Sequence, residues 1–491
     1  MKSYRRLLAL ILCMLMVMCS AVISVAEEEE PFTMVIQAQC YLSEFPPDDA
    51  EVLLIMEEYT GINLDIIWMV GNINEKISAT LASGEDMPMC LYIENPSAYN
   101  IVNAARAGMF WELTPYIEQF PNLKEMYSEP VRVENASIAG GTYGLFRKRP
   151  LATTGIIFRK DWADNLGIDN PETIDEYYDM LYAFTHNDPD GNGVNDTYGL
   201  ATKVDDASNI NGFVTMMAAF DVPNEWKWDG ETMIPYFVTD EYVECMDFYK
   251  KLYEEGLMNT DFVTNKEMHK QIDAGRAGSY ISFMSNAASD NNDLYIMYPD
   301  AQLDIVGRLE DRCMAEKGFA GEFVFPVSSV KDEETLLKCM SFFDKLNDPE
   351  MQNLLRWGIE GKHYYVNEDG KLVRPAEWND AYTNEVNCWR TIKLHYDEKA
   401  KDGVFDYAYG RARELYVENE PYAIGNPCAP LISDTQTEIG NDLKLIINDA
   451  TIQYIVGEIG IEDFQAACDA WYAQGGDKIV AEYTEAYLAN Q

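Results

Sequence analysis

Histidine is nearly absent from this chain: four in 491 residues, at His186, His269, His363 and His395. No nucleophile elbow, H-E-x-x-H, P-loop or glycine-rich dinucleotide fingerprint accompanies them. The short motifs that mark common hydrolase, metalloprotease and nucleotide chemistry are therefore missing. Base of any kind is also scarce. Thirty-seven Lys and Arg stand against 83 Asp and Glu, for a formal net charge of −46. So acidic a surface repels nucleic acid and anionic membranes, which excludes nucleic acid as a partner. No cysteine pair has C-x-x-C spacing. Cys40, Cys90, Cys245, Cys313, Cys339, Cys388, Cys428 and Cys468 are scattered, which suggests neither zinc nor a small disulfide scaffold. Several, such as Cys245 in "YVECMDFYKKLY", fall in helical patterns and read as small buried apolar side chains. In an exported chain some of the eight could pair, but their spacing does not say which.

Long apolar runs are missing too, except at the N-terminus. There "MKSYRR" is basic, "LLALILCMLMVM" is unbroken, and Ser24 and Ala26 precede "EEEE". This reads as a secretory signal peptide over residues 1–26, cut after Ala26. The alternatives are an uncleaved anchor over residues 7–26, just long enough to span a bilayer, and a lipid-modified Cys19. Cleavage removes Lys2, Arg5 and Arg6, taking the charge from −46 to −49. The mature protein is expected outside the cytoplasm, released or held at the cell surface. The whole chain is 47% hydrophobic, ample for large cores and too apolar for general disorder.

Strand and helix patterns alternate from residue 31. "PFTMVIQAQC" reads as a strand, "DDAEVLLIMEEYTG" as a helix ending at Gly61, and "INLDIIWM" as the next strand. Such alternation predicts α/β architecture built on βαβ units, with a largely parallel sheet. Ligands of such sheets sit at the carboxyl ends of the strands. Farther on, "PETIDEYYDMLYAFT" carries Thr173 and Glu176 at capping-box spacing, with Tyr177, Met180, Leu181 and Phe184 on one face. "TYGLATKV" reads as a strand, so the polar stretch between them joins a helix to a strand.

That connection, "THNDPDGNGVNDTYGL", has a specific spacing. Asp188, Asp190, Asn192 and Asp196 stand at positions 1, 3, 5 and 9 of the EF-hand pattern, with Gly193 at position 6. Calcium takes about six to eight oxygens, and alternate short acidic or amide side chains on a tight turn provide them. Gly193 permits the backbone that turns the Val194 carbonyl inward. Position 12 is Gly199, so the usual bidentate glutamate is missing. The last oxygen falls to Asp196, Thr197, water or a distant carboxylate. The bland alternative is an Asx-rich turn. The spacing predicts a structural calcium ion in residues 188–197.

Residues 158–200, "FRKDWADNLGIDNPETIDEYYDMLYAFTHNDPDGNGVNDTYGL", resemble the extracellular solute-binding proteins of carbohydrate ABC transporters. The likeness is to the calcium-loop subgroup that includes alginate-oligosaccharide-binding proteins. "TLASGEDMPMC", "AGMFWELTPYIEQFPNLKEMY", "GGTYGLFRKRP", "FYKKLYEEGLMNTDF", "WGIEGKHYYVNEDGK" and "IVGEIGIEDFQ" agree in the family's order over nearly the whole mature chain. The resemblance implies a two-lobed α/β fold closing over a sugar. The first lobe would comprise 27–147 and 320–365, and the second 148–319 and 366–491. Crossings are expected near 146–153, 305–322 and 358–372. In the family's pattern Asp188, Asp190, Asn192, the Val194 carbonyl and Asp196 match the ion's ligands. Thr197 replaces an acid that often follows.

Sugars offer hydroxyls for hydrogen bonding and C–H faces for aromatic stacking. The cleft candidates are therefore Tyr41 after the first strand, Glu85 and Asp86 at a helix-to-strand turn, and five residues around the third crossing: Trp357, His363, Tyr364, Trp378 and Trp389. Each also has a packing or solvated-turn reading. Trp226 and Trp228 look like a structural hairpin, and Trp111 like a buried helix end. Arg147, Lys148, Arg149, Arg159 and Lys160 crowd an otherwise base-poor chain. Ordinary ion pairing with nearby acids is the plainer reading, and an Arg147 clamp on an acidic sugar such as a uronate the sharper one. The expected role is capture of an oligosaccharide by a monomer and its delivery to an ABC permease. A secreted glycan-active enzyme and an oligopeptide-binding protein of the same architecture are the rivals.

Overall fold

A computed structural model describes residues 32–40, 45–84 and 86–490. The leader with Cys19, and the cleft candidates Tyr41 and Glu85, lie outside the described residues. Nine strands form the two main sheets: β1 (Thr33–Gln39), β2 (Asn63–Met69), β3 (Cys90–Ile93), β4 (Gly144–Lys148), β5 (Thr154–Arg159), β6 (Tyr198–Ala201), β7 (Ala277–Phe283), β8 (Leu303–Val306) and β9 (Phe319–Val324).

The first sheet has the order β2-β1-β3-β9-β4. Its β1, β2 and β3 run parallel, joined by the helices α1 (Glu51–Thr60) and α2 (Ile73–Ser83). Gly61 ends α1 in the left-handed region (φ 73°), and its amide bonds to the Glu57 carbonyl, closing the helix as the sequence predicts. Strand β9 departs from the parallel expectation. It arrives from the other half of the chain and runs antiparallel to both β3 and β4.

The second sheet has the order β8-β5-β7-β6 and is also mixed. Its strands are buried on both faces, and alternation along β5 shows why. Ile156 and Phe158 belong to one core, and Ile157 between them to another. Helix α3 (Ile174–His186) covers one face. Thr173 and Glu176 form the expected capping box, and Tyr177, Met180, Leu181 and Phe184 are completely buried. Trp226–Trp228 pairs with Met233–Pro235 as the expected hairpin. Trp111 is only half-buried and donates its Nε1 proton to the Val330 carbonyl at 2.7 Å.

The chain changes sheets between β4 and β5, and again between β8 and β9. The later part differs from the expected division at 365/366. Tyr382, Val386, Trp389, Ile392 and Leu394 pack in the core of the first sheet. The next core residues of the second lobe, Ala408 and Ala412, begin on α4 (Tyr407–Asn419). The cause is a local return of the chain. The Leu372 amide bonds to the Asp402 carbonyl and the Val404 amide to the Leu372 carbonyl. Residues 373–401 are thus an excursion from the first lobe, and the cores hand over after Leu394. No described helix is long and apolar enough to cross a membrane.

Gly278 in β7 has no room for a side chain: an added Cβ would lie 2.1 Å from Phe184 Cδ2. Gly278→Ala should overpack this core at a cost of about 1–3 kcal/mol and lower the melting temperature by roughly 2–12 °C. An unchanged calorimetric melt would contradict that packing.

Candidate functional site

The 373–401 excursion places a basic segment beside β4. The Lys148 amide donates to the Leu394 carbonyl at 2.7 Å, so residues 387–396 run along the strand that carries Arg147. Between them lies a pocket of about 280 Å³ lined by Arg147, Arg149, Asn387, Cys388, Arg390, Thr391, Lys393 and Tyr396. A second pocket of about 430 Å³ shares Tyr396 and continues past Lys148, Arg356, Asp397 and Phe405 to Arg413, Tyr416 and Glu420. It therefore spans the two lobes. Both volumes are close to those of small-molecule sites, roughly 300–1,000 Å³.

Four cations face the first pocket, and they are poorly compensated. Arg147 has no carboxylate partner among the described residues. It makes long hydrogen bonds to the Tyr92 hydroxyl (3.3 Å) and to the carbonyls of Ala320 and Arg390 (both 3.4 Å). Its buried Nε has no partner. Arg149 donates to the Lys148 carbonyl at 2.7 Å and lies 5.7 Å from the Tyr396 ring centre. Burial, then Arg147, push its guanidinium down to about 10, so it stays charged at neutral pH.

Arg390 and Lys393 share one carboxylate. Asp397 lies 3.7 Å from Arg390 Nη2, is paired with Lys393 Nζ, and lies 3.3 Å from Arg356 Nη1. Burial pushes Asp397 up, but Lys393, His395 and Arg390 outweigh it and hold it well below the usual carboxylate range. Burial dominates at Lys393, where Asp397 raises the ammonium and Arg390 lowers it again; the net is downward. His395 is pushed to about 4 by burial and Lys393, so it is neutral at pH 7. Asp397 also sits at φ 68°, a conformation that costs a non-glycine residue energy and that clusters at functional sites. One carboxylate thus serves Arg356, Arg390 and Lys393, while Arg147 and Arg149 have none. Burying cations without anions costs several kcal/mol. The pocket is consequently primed for a negatively charged group.

The rest of the predicted basic cluster behaves plainly. Arg159 is bidentate on Asp161 (2.8 and 2.6 Å), Lys160 pairs with Asp164, and Lys148 pairs with Glu129 and Glu398. Among the cleft candidates, Arg147 lines the first pocket. Asp86 is exposed on its turn. Trp357, His363, Tyr364, Trp378 and Trp389 line neither pocket, and each has a packing partner. Trp357 is buried, stacks on Phe405 at 5.5 Å and donates to the Lys401 carbonyl. Tyr364 packs 6.3 Å from Trp357. His363 is fully buried, accepts the Ile359 amide through Nδ1 and faces Glu385 at 3.5 Å. Trp378 meets Tyr365 edge-on, and Trp389 meets Trp68 in the first core. The sequence places Arg149 in the basic cluster but gives it no role of its own. Arg390 and Lys393 are not among the sequence-based candidates, although "WRTIKLH" is itself a basic run in an acid-rich chain.

The polar loop between α3 and β6 is exposed and turns tightly through Asp188, Gly191 and Gly193, all at positive φ. Asp188 accepts the Gly193 amide on Oδ2, and its buried Oδ1 is unpartnered. Asn192 Nδ2 bridges Asp190 (2.8 Å) and Asp196 (3.3 Å). Burial raises the Asp190 carboxyl, as do Asp196 and Asp188. These acids therefore share a small space, and an orphaned carboxylate oxygen is what a cation would satisfy. Thr197 differs from the others. It is buried, and its hydroxyl donates to the Phe184 carbonyl at 2.7 Å. Among the described residues, no group of three or more His, Cys, Asp or Glu is placed to hold a metal.

Comparison with known proteins agrees with this architecture. The chain is 35% identical over 456 residues to the polygalacturonan/rhamnogalacturonan-binding protein YtcQ of Bacillus subtilis, covering 90% of this chain and 89% of that one. It is 33% identical to the lipoprotein LipO of the same organism, over 94% and 93% of the two chains. A solved HMO-binding solute-binding protein of Bifidobacterium longum infantis has the same two-lobed fold. Its TM-score is 0.71 at 16% identity, covering 94% of this chain and 99% of that one. The profile of the bacterial extracellular solute-binding proteins matches residues 33–301, and this chain belongs to that family.

Proposed function

We propose that this solute-binding protein captures an acidic oligosaccharide, one containing uronate residues, and delivers it as a monomer to the permease of an ABC transporter. The observation that carries the reading is the surplus of cations around one pocket, Arg147 and Lys393 buried and Arg149 and Arg390 half-buried, in a chain of net charge −46. A sugar carboxylate supplies the anion that this pocket lacks, and arginine's planar fork can hold it bidentately. Tyr396, Phe405 and Tyr416 line the adjoining pocket, where sugar C–H faces can stack. The name of the Bacillus subtilis relative YtcQ specifies polygalacturonan and rhamnogalacturonan, both of which carry carboxylates. A ligand touching both lobes favours the closed arrangement through contacts made only there.

We further propose that residues 188–197 hold a structural calcium ion through Asp188, Asp190, Asn192, the Val194 carbonyl and Asp196. The hydroxyl of Thr197 would stay with Phe184. The ion would neutralise acids that otherwise repel one another. The protein acts outside the cytoplasm, as expected of its family.

Three measurements test these readings. Arg147→Ala should weaken binding of a galacturonate oligosaccharide at least about thirtyfold, the lower end of removing one member of a buried charge pair. Equal affinity in titration calorimetry would remove the clamp. The second is pH dependence. The acidic ligand favours protonated Lys393, whose value in the free protein is lowered to about 7. Affinity should therefore be level below pH 7 and fall above it, by at most about tenfold per pH unit for one proton. A flat profile from pH 6 to 9 would contradict the role of Lys393. Third, chelation should lower the melting temperature. An ion at about a hundred times its Kd contributes about 2.7 kcal/mol, or roughly 5–11 °C for a lobe of this size. An unchanged melt would sink the calcium site.

A further inference from the structure

All eight cysteines of the described chain are buried, and two of them meet. Cys40 Sγ and Cys388 Sγ are 2.7 Å apart, although 348 residues separate them. Cys40 is 4% exposed and follows β1 directly; Cys388 is 2% exposed and lies in the short 3₁₀ turn Asn387–Thr391. Among the described residues, neither sulfur meets a carboxylate, a histidine or a further thiol. Two non-bonded thiols have no reason to be pressed so close, whereas a bond between them needs only a small approach, to about 2.05 Å. The family places the chain outside the cytoplasm, where thiols become oxidised and stay so.

We propose that Cys40 and Cys388 form a disulfide that ties the carboxyl end of β1 to the turn carrying the cationic pocket. Each thiol gives up one proton, the new sulfur–sulfur bond forms, and two electrons pass to an external disulfide oxidant, whose own bond breaks to yield two thiols. The exchange proceeds while the exported chain folds, because both sulfurs are closed to solvent afterwards. The bridge has a structural purpose. The turn provides Asn387, Cys388, Arg390 and Thr391 to the pocket, and it holds like-charged groups near Arg147 and Arg149. Such a turn is pushed outward by repulsion, and a covalent tie to the sheet opposes that push. The other six cysteines stay reduced. The proposal stands whatever sugar the pocket takes.

The test uses the full exported protein, purified without reductant. Free thiols are alkylated in denaturant, and the protein is digested and mapped by mass spectrometry without reduction. The expected result is one cross-linked peptide pair holding Cys40 and Cys388, with the remaining described cysteines alkylated. Alkylation of both Cys40 and Cys388 would overturn the proposal. The paired substitution Cys40→Ala with Cys388→Ala provides the second readout. It should melt lower by roughly 10 °C, the scale set by closing so long a loop, and its 386–394 amides should exchange hydrogen at least tenfold faster. If that variant does not fold, the same two readouts are taken on wild-type protein unfolded in reductant, refolded under it and compared with the oxidised form. A bridge that leaves both melting and exchange unchanged would overturn its role in holding the turn.

Discussion

The architecture of the cleft depends on one buried carboxylate. Asp397 stands among Arg356, Arg390 and Lys393, and these come from a helix end and from the excursion that folds back on the first lobe. Without that anion, three cations would share a nearly dry space. With it, they are held together but still not neutralised, because Arg147 and Arg149 approach from β4 with no acid of their own. The local structure and the proposed function thus have the same origin. A packing that brings basic residues together beside a sheet edge gathers them around Asp397 and underlies the proposed uptake of an anion.

The same segment links the site to closure of the lobes. Residues 394–408 connect the core of the first sheet to α4 in the second lobe, and the larger pocket lies along this connection. Arg132 spans the gap as well, pairing with Glu420 just after α4 while its Nε holds the Arg149 carbonyl. Any movement of α4 is therefore felt at the Arg149 backbone. That coupling is what a capture mechanism needs, since a ligand biases two arrangements only through contacts that differ between them.

Much of the fold was legible because its signals are local. The capping box at Thr173, the apolar face of α3, the glycine stop at Gly61 and the tryptophan hairpin each depend on residues within one or two turns. The antiparallel insertion of β9 was not legible, since nothing in "FAGEFV" says which neighbours it will find. The third handover was not legible for a related reason: the Leu372 amide donates to the Asp402 carbonyl and the Val404 amide to the Leu372 carbonyl, joining residues about 30 apart. The aromatic candidates around Trp357 followed from the chemistry of sugars, but the fold uses Trp357 and Trp389 for packing. The basic residues do line a pocket. Arg147 was legible as an arginine in a base-poor chain, whereas its convergence with Arg390 and Lys393 depends on the excursion.

The central claim is that the pocket selects its ligand by negative charge. It is tested most directly by titrating the wild-type protein with a short galacturonate oligosaccharide and with its fully methyl-esterified form, which keeps the hydroxyls and ring faces but removes the charge. The account predicts that esterification weakens binding at least about thirtyfold, the worth of one desolvated charge pair. Equal affinity for the two would show that the cations serve the fold alone, and would contradict it.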